Sequence, residues 1–81
     1  MFERGTRVKV KADVRTILPF EWRGKQLEGK VLYHDTKDKT VAVDIENAAQ
    51  VGHQCASAPI KGFVANGWWF MENELEIIEE A

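Results

Sequence analysis

Residues 30–45 read KVLYHDTKDKTVAVDI and contain the clearest structural signal of the chain. Apolar side chains occupy every second position from Val31 onward, and the same alternation resumes at Val41. A period of two places alternate side chains on one face of a strand. The five residues between the two segments, 35–39, are polar and typical of a hairpin connection. The stretch therefore predicts two antiparallel strands, each with one buried face.

Three further segments carry strand signals. Residues 7–11 alternate basic and apolar side chains, residues 67–71 are almost wholly apolar, and residues 75–78 form a short apolar segment. The three residues between the last two segments, 72–74, are too few for a hairpin loop and predict a single 3₁₀ turn. Apolar residues at alternate positions, enriched in β-branched valine, predict one shared interior, formed by Val8, Val10, Val31, Val41, Val43, Phe70 and Leu75.

Two long connections separate these strands, at residues 12–28 and 46–66. The first is too apolar for a solvated linker, so we expect it to fold back onto the strands. We expect the second to pack over the outer face of strand 67–71, because Trp68 and Trp69 must point to opposite faces. Five strands, two long loops and a 3₁₀ turn before the last strand predict an all-β fold, a five-stranded SH3-like small barrel.

Length and composition restrict the class of protein. Eighty-one residues predict a single domain, residues 1–81, with little room for a deep pocket beside the core, so we expect no enzyme and no cofactor. An apolar content of 44% with three tryptophans excludes a disordered chain. No apolar run approaches the ~20 residues of a membrane span. A single cysteine, Cys55, cannot form an internal disulfide, which favours a cytoplasmic location.

The charges are segregated along the chain although the net charge is only −2. Residues 1–30 carry eight basic and four acidic side chains, whereas residues 72–81 carry five acidic side chains and no basic ones. Glu72, Glu74 and Glu76 alternate with other residues, which predicts a solvated face. The small net charge disfavours tight non-specific binding to DNA, which needs a basic excess.

One pair of residues, His53 and Cys55, has the character of metal ligands or of a catalytic pair. A structural zinc site takes four Cys or His ligands, so a single pair predicts no metal site. Catalysis would also need a group that orients the histidine and an oxyanion site, and no segment indicates either. We therefore expect no catalytic residues, with His53 hydrogen-bonded in a loop and Cys55 buried.

The aromatic residues provide the candidate binding site. Phe20, Trp22, Arg23 and Lys25 lie close together in the first long connection, and Tyr33 follows on the next strand. Smaller apolar residues of the same loop are better placed to fill its underside, so we expect Trp22 at the surface. Aromatic residues and arginine dominate the energy of protein interfaces. The alternative is that all the rings belong to the core and fix the loops.

Several short motifs resemble known families. Residues 5–10 (GTRVKV) followed by 27–31 (LEGKV) look like the first hairpin of SH3-like barrels of the KOW and Tudor type. The order GHQC at 52–55, GWWF at 67–70 and LE at 75–76 resembles a group of short proteins encoded mostly by phages and prophages. The resemblance implies an SH3-like fold and a viral origin. It assigns no activity to any residue.

Two functions follow as hypotheses. In the first, the chain is a protein-binding module whose aromatic and basic loop engages a host or cognate protein, in the host cytoplasm if the chain is phage-encoded. In the second, it is a nucleic-acid-binding barrel of the KOW or Tudor kind, whose basic first strand contacts phosphates while exposed rings stack on bases. Neither hypothesis involves a membrane, and the oligomeric state stays open.

Overall fold

Six β-strands in one sheet and two three-residue 3₁₀ turns make up the regular structure of the described residues. The structure is a computed structural model that describes residues 1–51, the backbone of residues 53 and 54, and residues 66–81. The strands are β1 (Arg7–Val10), β2 (Glu28–Asp35), β3 (Thr40–Ile45), β4 (His53–Gln54), β5 (Asn66–Met71) and β6 (Leu75–Glu79), and the 3₁₀ turns cover Phe20–Trp22 and Glu72–Glu74. Neither described helix has the length or the apolar character to cross a membrane.

The strand order in the sheet is β4-β5-β3-β2-β1-β6. Every neighbouring pair is antiparallel except β4 and β5, which are parallel. The predicted all-β class, the five antiparallel strands and the 3₁₀ turn before the last strand are confirmed. The two-residue strand β4 was not predicted, because two residues are too few to show a period. Hydrogen bonding along the described strands ends at β4 and β6, so the sheet is not closed.

The hairpin of β2 and β3 is tightened by the side chain that precedes its turn. The Asp35 carboxylate accepts hydrogen bonds from the backbone N–H groups of Lys37 (3.0 Å) and Asp38 (3.1 Å). An aspartate that bonds to the backbone two and three residues later favours a turn. Lys39 then adopts the left-handed conformation (φ 58°) before β3 begins. The polar segment 35–39 thus connects the two strands as predicted.

Gly29 permits the close approach of β2 and β3. A Cβ atom at this position would lie 2.1 Å from the carbonyl oxygen of Asp44, well inside van der Waals contact. No side chain fits there unless the backbone of one strand moves. The glycine that the sequence places at the start of the second strand therefore has a steric role in the register of the sheet.

One hydrophobic core lies against the sheet. All seven residues predicted for the interior are buried, with exposed fractions from 0% to 5%. The period-two prediction is therefore confirmed. Four more apolar side chains join them in the same cluster: Phe2, Trp22, Leu27 and Ile45. The two tryptophans of β5 do take opposite faces, since Trp68 packs against this core while the Trp69 ring contacts Tyr33.

Candidate functional site

The connection between β1 and β2, residues 11–27, is held against the rest of the protein at several points. We call it the β1–β2 loop. Its middle contains the first 3₁₀ turn, where the backbone N–H of Trp22 donates to the carbonyl of Pro19 (2.9 Å) and that of Arg23 to Phe20 (3.2 Å). The apolar connection thus folds back onto the strands, as the sequence predicts.

Trp22 is the deepest residue of this loop, and its predicted place at the surface is wrong. Its side chain is 0% exposed, and its ring lies edge-on to that of Trp68 with the centroids 5.6 Å apart. The indole Nε1–H donates a hydrogen bond to the carbonyl oxygen of Ala49 (2.7 Å). A buried indole needs a partner for its N–H group, and a carbonyl on a distant segment provides one. Trp22 therefore fixes the loop and cannot contact a partner protein directly.

A second tryptophan holds the loop just before the 3₁₀ turn. The Trp68 Nε1–H donates to the carbonyl oxygen of Ile17 (3.1 Å), across 51 positions of sequence. Within the loop, the Arg23 Nε–H donates to the carbonyl oxygen of Leu18 (3.4 Å), a long contact between exposed groups. The two tryptophans thus contact each other and each binds the backbone of a separate segment. Their rings form a common support beneath the turn at Phe20–Trp22.

Glu74 holds the first limb of the loop from the second 3₁₀ turn. Its carboxylate accepts hydrogen bonds from the backbone N–H groups of Arg15 (2.7 Å), Thr16 (2.9 Å) and Met71 (2.8 Å), and from the Thr16 hydroxyl (2.5 Å). The expected solvated face is therefore wrong for Glu74, which is 7% exposed, whereas Glu76 is exposed. Burial by itself would raise the pKa of Glu74, but the four hydrogen bonds favour the ionised form and hold its pKa below the usual value.

Amide side chains close the base of the loop beside β1 and β2. The Gln26 Nε2–H donates to the carbonyl oxygen of Val10 (3.3 Å), and the Asn47 Nδ2–H donates to that of Gln26 (2.7 Å). The Asn47 Oδ1 in turn accepts from the backbone N–H of Glu28 (2.8 Å). Hydrogen bonds at both ends and in the middle leave this loop little conformational freedom.

The same loop exposes two large apolar side chains. Phe20 is 81% exposed and Ile17 is 79% exposed, on either side of Leu18 and Pro19. Phe20 forms no ring pair with any of the described aromatic residues. The exposure of Phe20 is as predicted, whereas Ile17 was not among the predicted site residues. Its backbone carbonyl is held by Trp68 across 51 positions, a contact that sequence spacing does not reveal.

Ion pairs distinguish the basic residues of β1 from those of the loop. Arg7 lies 3.6 Å from carboxylate oxygens of both Glu28 and Glu46, and the Lys9 ammonium lies 3.9 Å from Glu76. The exposed basic side chains of the loop have no ion pair with any described residue; they are Lys11, Arg15, Arg23 and Lys25. The positive charges of β1 are thus partly neutralised by glutamates, whereas the basic side chains of the loop have no carboxylate partner among the described residues.

Tyr33 lies on β2 and belongs to a different surface from Phe20. It stands opposite Ala42 of β3, which in turn stands opposite Trp69 of β5. The rings of Tyr33 and Trp69 meet edge-on with centroids 6.5 Å apart, and Ala42 between them is buried. Tyr33 keeps 37% of its surface exposed. The structure therefore does not unite all the predicted binding residues in one site.

The predictions for His53 and Cys55 lie outside the residues whose side chains are described, and so does the packing of residues 55–65. Within the described ranges, no group of three or more His, Cys, Asp or Glu side chains could hold a metal ion.

No protein-family model, curated protein or solved structure matches this chain.

Proposed function

We propose that this chain is a non-enzymatic binding module with an SH3-like small barrel, and that it engages a partner protein through the β1–β2 loop. The observation that carries the proposal is the pair of exposed apolar side chains, Ile17 and Phe20, on a loop held from beneath by Trp22 and Trp68. If the chain is phage-encoded, as its motifs suggest, the partner is a protein of the host cytoplasm.

The rigid support of the loop favours recognition. A loop that is already ordered loses less conformational entropy when it binds, so more of the contact energy appears as affinity. Trp22 and Trp68 hold the turn from the inside, while Glu74 holds the limb at Arg15 and Thr16. In this proposal Phe20 is the contact residue, Arg23 and Lys25 flank it, and Trp22 keeps it in place.

The alternative function is nucleic-acid binding, and the unpaired cations of the loop are the observation in its favour. Exposed Phe20 could stack on a base while Arg23 and Lys25 contact phosphates. Against it, the cations of the first strand are engaged with carboxylates, since Arg7 and Lys9 both lie beside glutamates. The net charge of −2 also disfavours a polyanionic ligand. Protein binding is therefore the better supported function.

The test is capture of partners from bacterial lysate by immobilised protein, with and without nuclease. We expect captured protein to survive nuclease treatment, and Phe20→Ala to weaken capture by about tenfold or more, as for a residue that dominates an interface. Ile78→Ala is the matched control, because Ile78 is an exposed apolar residue (48%) on β6. Capture that disappears with nuclease would favour the alternative. Capture that Phe20→Ala leaves unchanged would exclude the loop as the contact.

A further inference from the structure

A groove of about 280 Å³ lies between the two limbs of the β1–β2 loop. Its apolar lining includes two buried core residues, Val10 and Leu27, and two half-buried residues, Val14 and Leu18. Its polar side chains are two lysines and one neutral amide, Lys11, Lys25 and Gln26. Among the residues that the structure describes, no carboxylate lines this groove. The groove thus combines aliphatic walls with two cations.

The two lysines of the rim are free to pair with a ligand. Both are exposed, and neither forms an ion pair within the described part of the chain. The acidic residue nearest in sequence, Asp13, lines a separate cavity together with Glu74. Lys9 lies two residues before Lys11, and its ammonium group already lies 3.9 Å from the Glu76 carboxylate. Lys11 also borders a second cavity that Glu72 and Glu76 line, but neither carboxylate lies within ion-pair distance of Lys11 or Lys25. Both lysines therefore remain available to a ligand in the groove.

From this combination we propose that the groove binds a short acidic segment of the partner protein, with one aliphatic side chain between the walls and carboxylates beside Lys11 and Lys25. The volume is below the ~300–1,000 Å³ typical of small-molecule pockets and suits a single side chain. None of the described residues that line the groove is aromatic, so they offer no surface for stacking a base. The inference rests on the proposed function, since it names the chemistry of the partner that the loop engages.

The direct test is a titration of ¹⁵N-labelled protein with three capped five-residue peptides. The first carries a leucine between two pairs of acidic residues, the second replaces its leucine by serine, and the third replaces its acidic residues by lysines. We expect the first peptide to shift amide signals at residues 10–14 and 24–27. We expect the other two to bind about tenfold or more weakly, because one lacks the apolar side chain and the other repels the lysines.

Matched charge variants separate a local contact from a general effect of charge. Lys11→Glu combined with Lys25→Glu should lower the affinity for the acidic leucine peptide by about tenfold or more. The control is Lys30→Glu combined with Lys37→Glu, which changes the net charge equally at exposed positions outside the groove. It should lower the affinity for the same peptide by about twofold at most at physiological salt. Ala12→Trp, at an exposed position in the groove lining, should block the peptide while a dispersed spectrum shows that the protein remains folded.

Three results would overturn the groove as a peptide site. They are the absence of shifts with the acidic leucine peptide, equal losses in the two double variants, and stronger shifts at the same residues from an eight-nucleotide oligo-dT. If the peptide fails while capture from lysate still depends on Phe20, the proposed function stands and only the groove assignment falls. If the peptide binds while capture is independent of Phe20, the groove stands and the role of Phe20 falls.

Discussion

Replacing Trp22 by alanine tests the central structural argument, that an apolar loop is held in place by one buried indole. The side chain is 0% exposed, and it contacts both the Ala49 carbonyl and the Trp68 ring. Trp22→Ala removes the ring from the core, leaves the carbonyl of Ala49 without its donor, and deprives Trp68 of its aromatic neighbour. Each loss acts in the folded state and lowers the free energy of unfolding.

The expected magnitude follows from these contacts. Truncation of a buried tryptophan costs about 3–5 kcal/mol, and the edge-on ring pair accounts for about 0.5–1.5 kcal/mol beyond its buried area. The two figures overlap, so we expect a loss of about 4 kcal/mol in total. A chain of 81 residues has a free energy of unfolding of about 4–12 kcal/mol. The variant should therefore melt roughly 15–30 °C lower, or be unfolded at room temperature.

Thermal and urea unfolding followed by far-ultraviolet circular dichroism measure this loss. Phe20→Ala is the control, because Phe20 lies in the same 3₁₀ turn and is 81% exposed; it should change the stability by less than about 0.5 kcal/mol. Trp22→Phe keeps an apolar ring but no N–H donor, and should fall between the two at about 1–3 kcal/mol. A loss below about 1 kcal/mol for Trp22→Ala would refute the role of Trp22 as the support of the loop.

Three further predictions test the core, the buried carboxylate and the metal question. Val43→Asp places an unpaired charge at a position that is 0% exposed, at a cost of several kcal/mol, and should abolish cooperative unfolding; a dispersed native-like NMR spectrum would contradict it. The pKa of Glu74 is lowered in the folded state, so its ionised carboxylate stabilises the fold. This stabilisation is complete above the pKa of a glutamate in the unfolded chain (about 4.3) and is lost as the pH falls through the pKa of the folded state. Glu74→Gln should therefore lower the free energy of unfolding by about 2 kcal/mol at pH 7, and its free energy of unfolding should fall less steeply than that of the wild type below about pH 5. The exposed control Glu80→Gln should lose stability with falling pH as the wild type does. Equal pH dependence of the free energy of unfolding in all three proteins would refute the assignment. EDTA should leave the melting temperature within about 1 °C if His53 and Cys55 hold no structural ion, and stoichiometric zinc lost together with the fold would overturn this.

The strands and the core could be predicted from the sequence because both depend on local geometry. Backbone pleating alone sends successive side chains to opposite faces, so a period of two identifies Val31, Val41 and Val43 as interior wherever the strand lies in the sheet. The polar segment 35–39 predicts the hairpin for the same reason, since a turn depends on a few neighbouring residues. All seven residues inferred in this way are buried, although β3 also buries Ala42 and Ile45.

The candidate site depended on contacts between distant parts of the chain. The burial of Trp22 depends on the Ala49 carbonyl 27 residues away, and the burial of Glu74 depends on N–H groups and a hydroxyl nearly 60 residues earlier. A loop has no repeating geometry that assigns its side chains to one face, so its inward side is whichever side finds apolar contacts and hydrogen-bond partners on other elements. Sequence therefore determined the five antiparallel strands and the seven residues predicted for their interior. Tertiary structure decided which residues of the loop face the solvent.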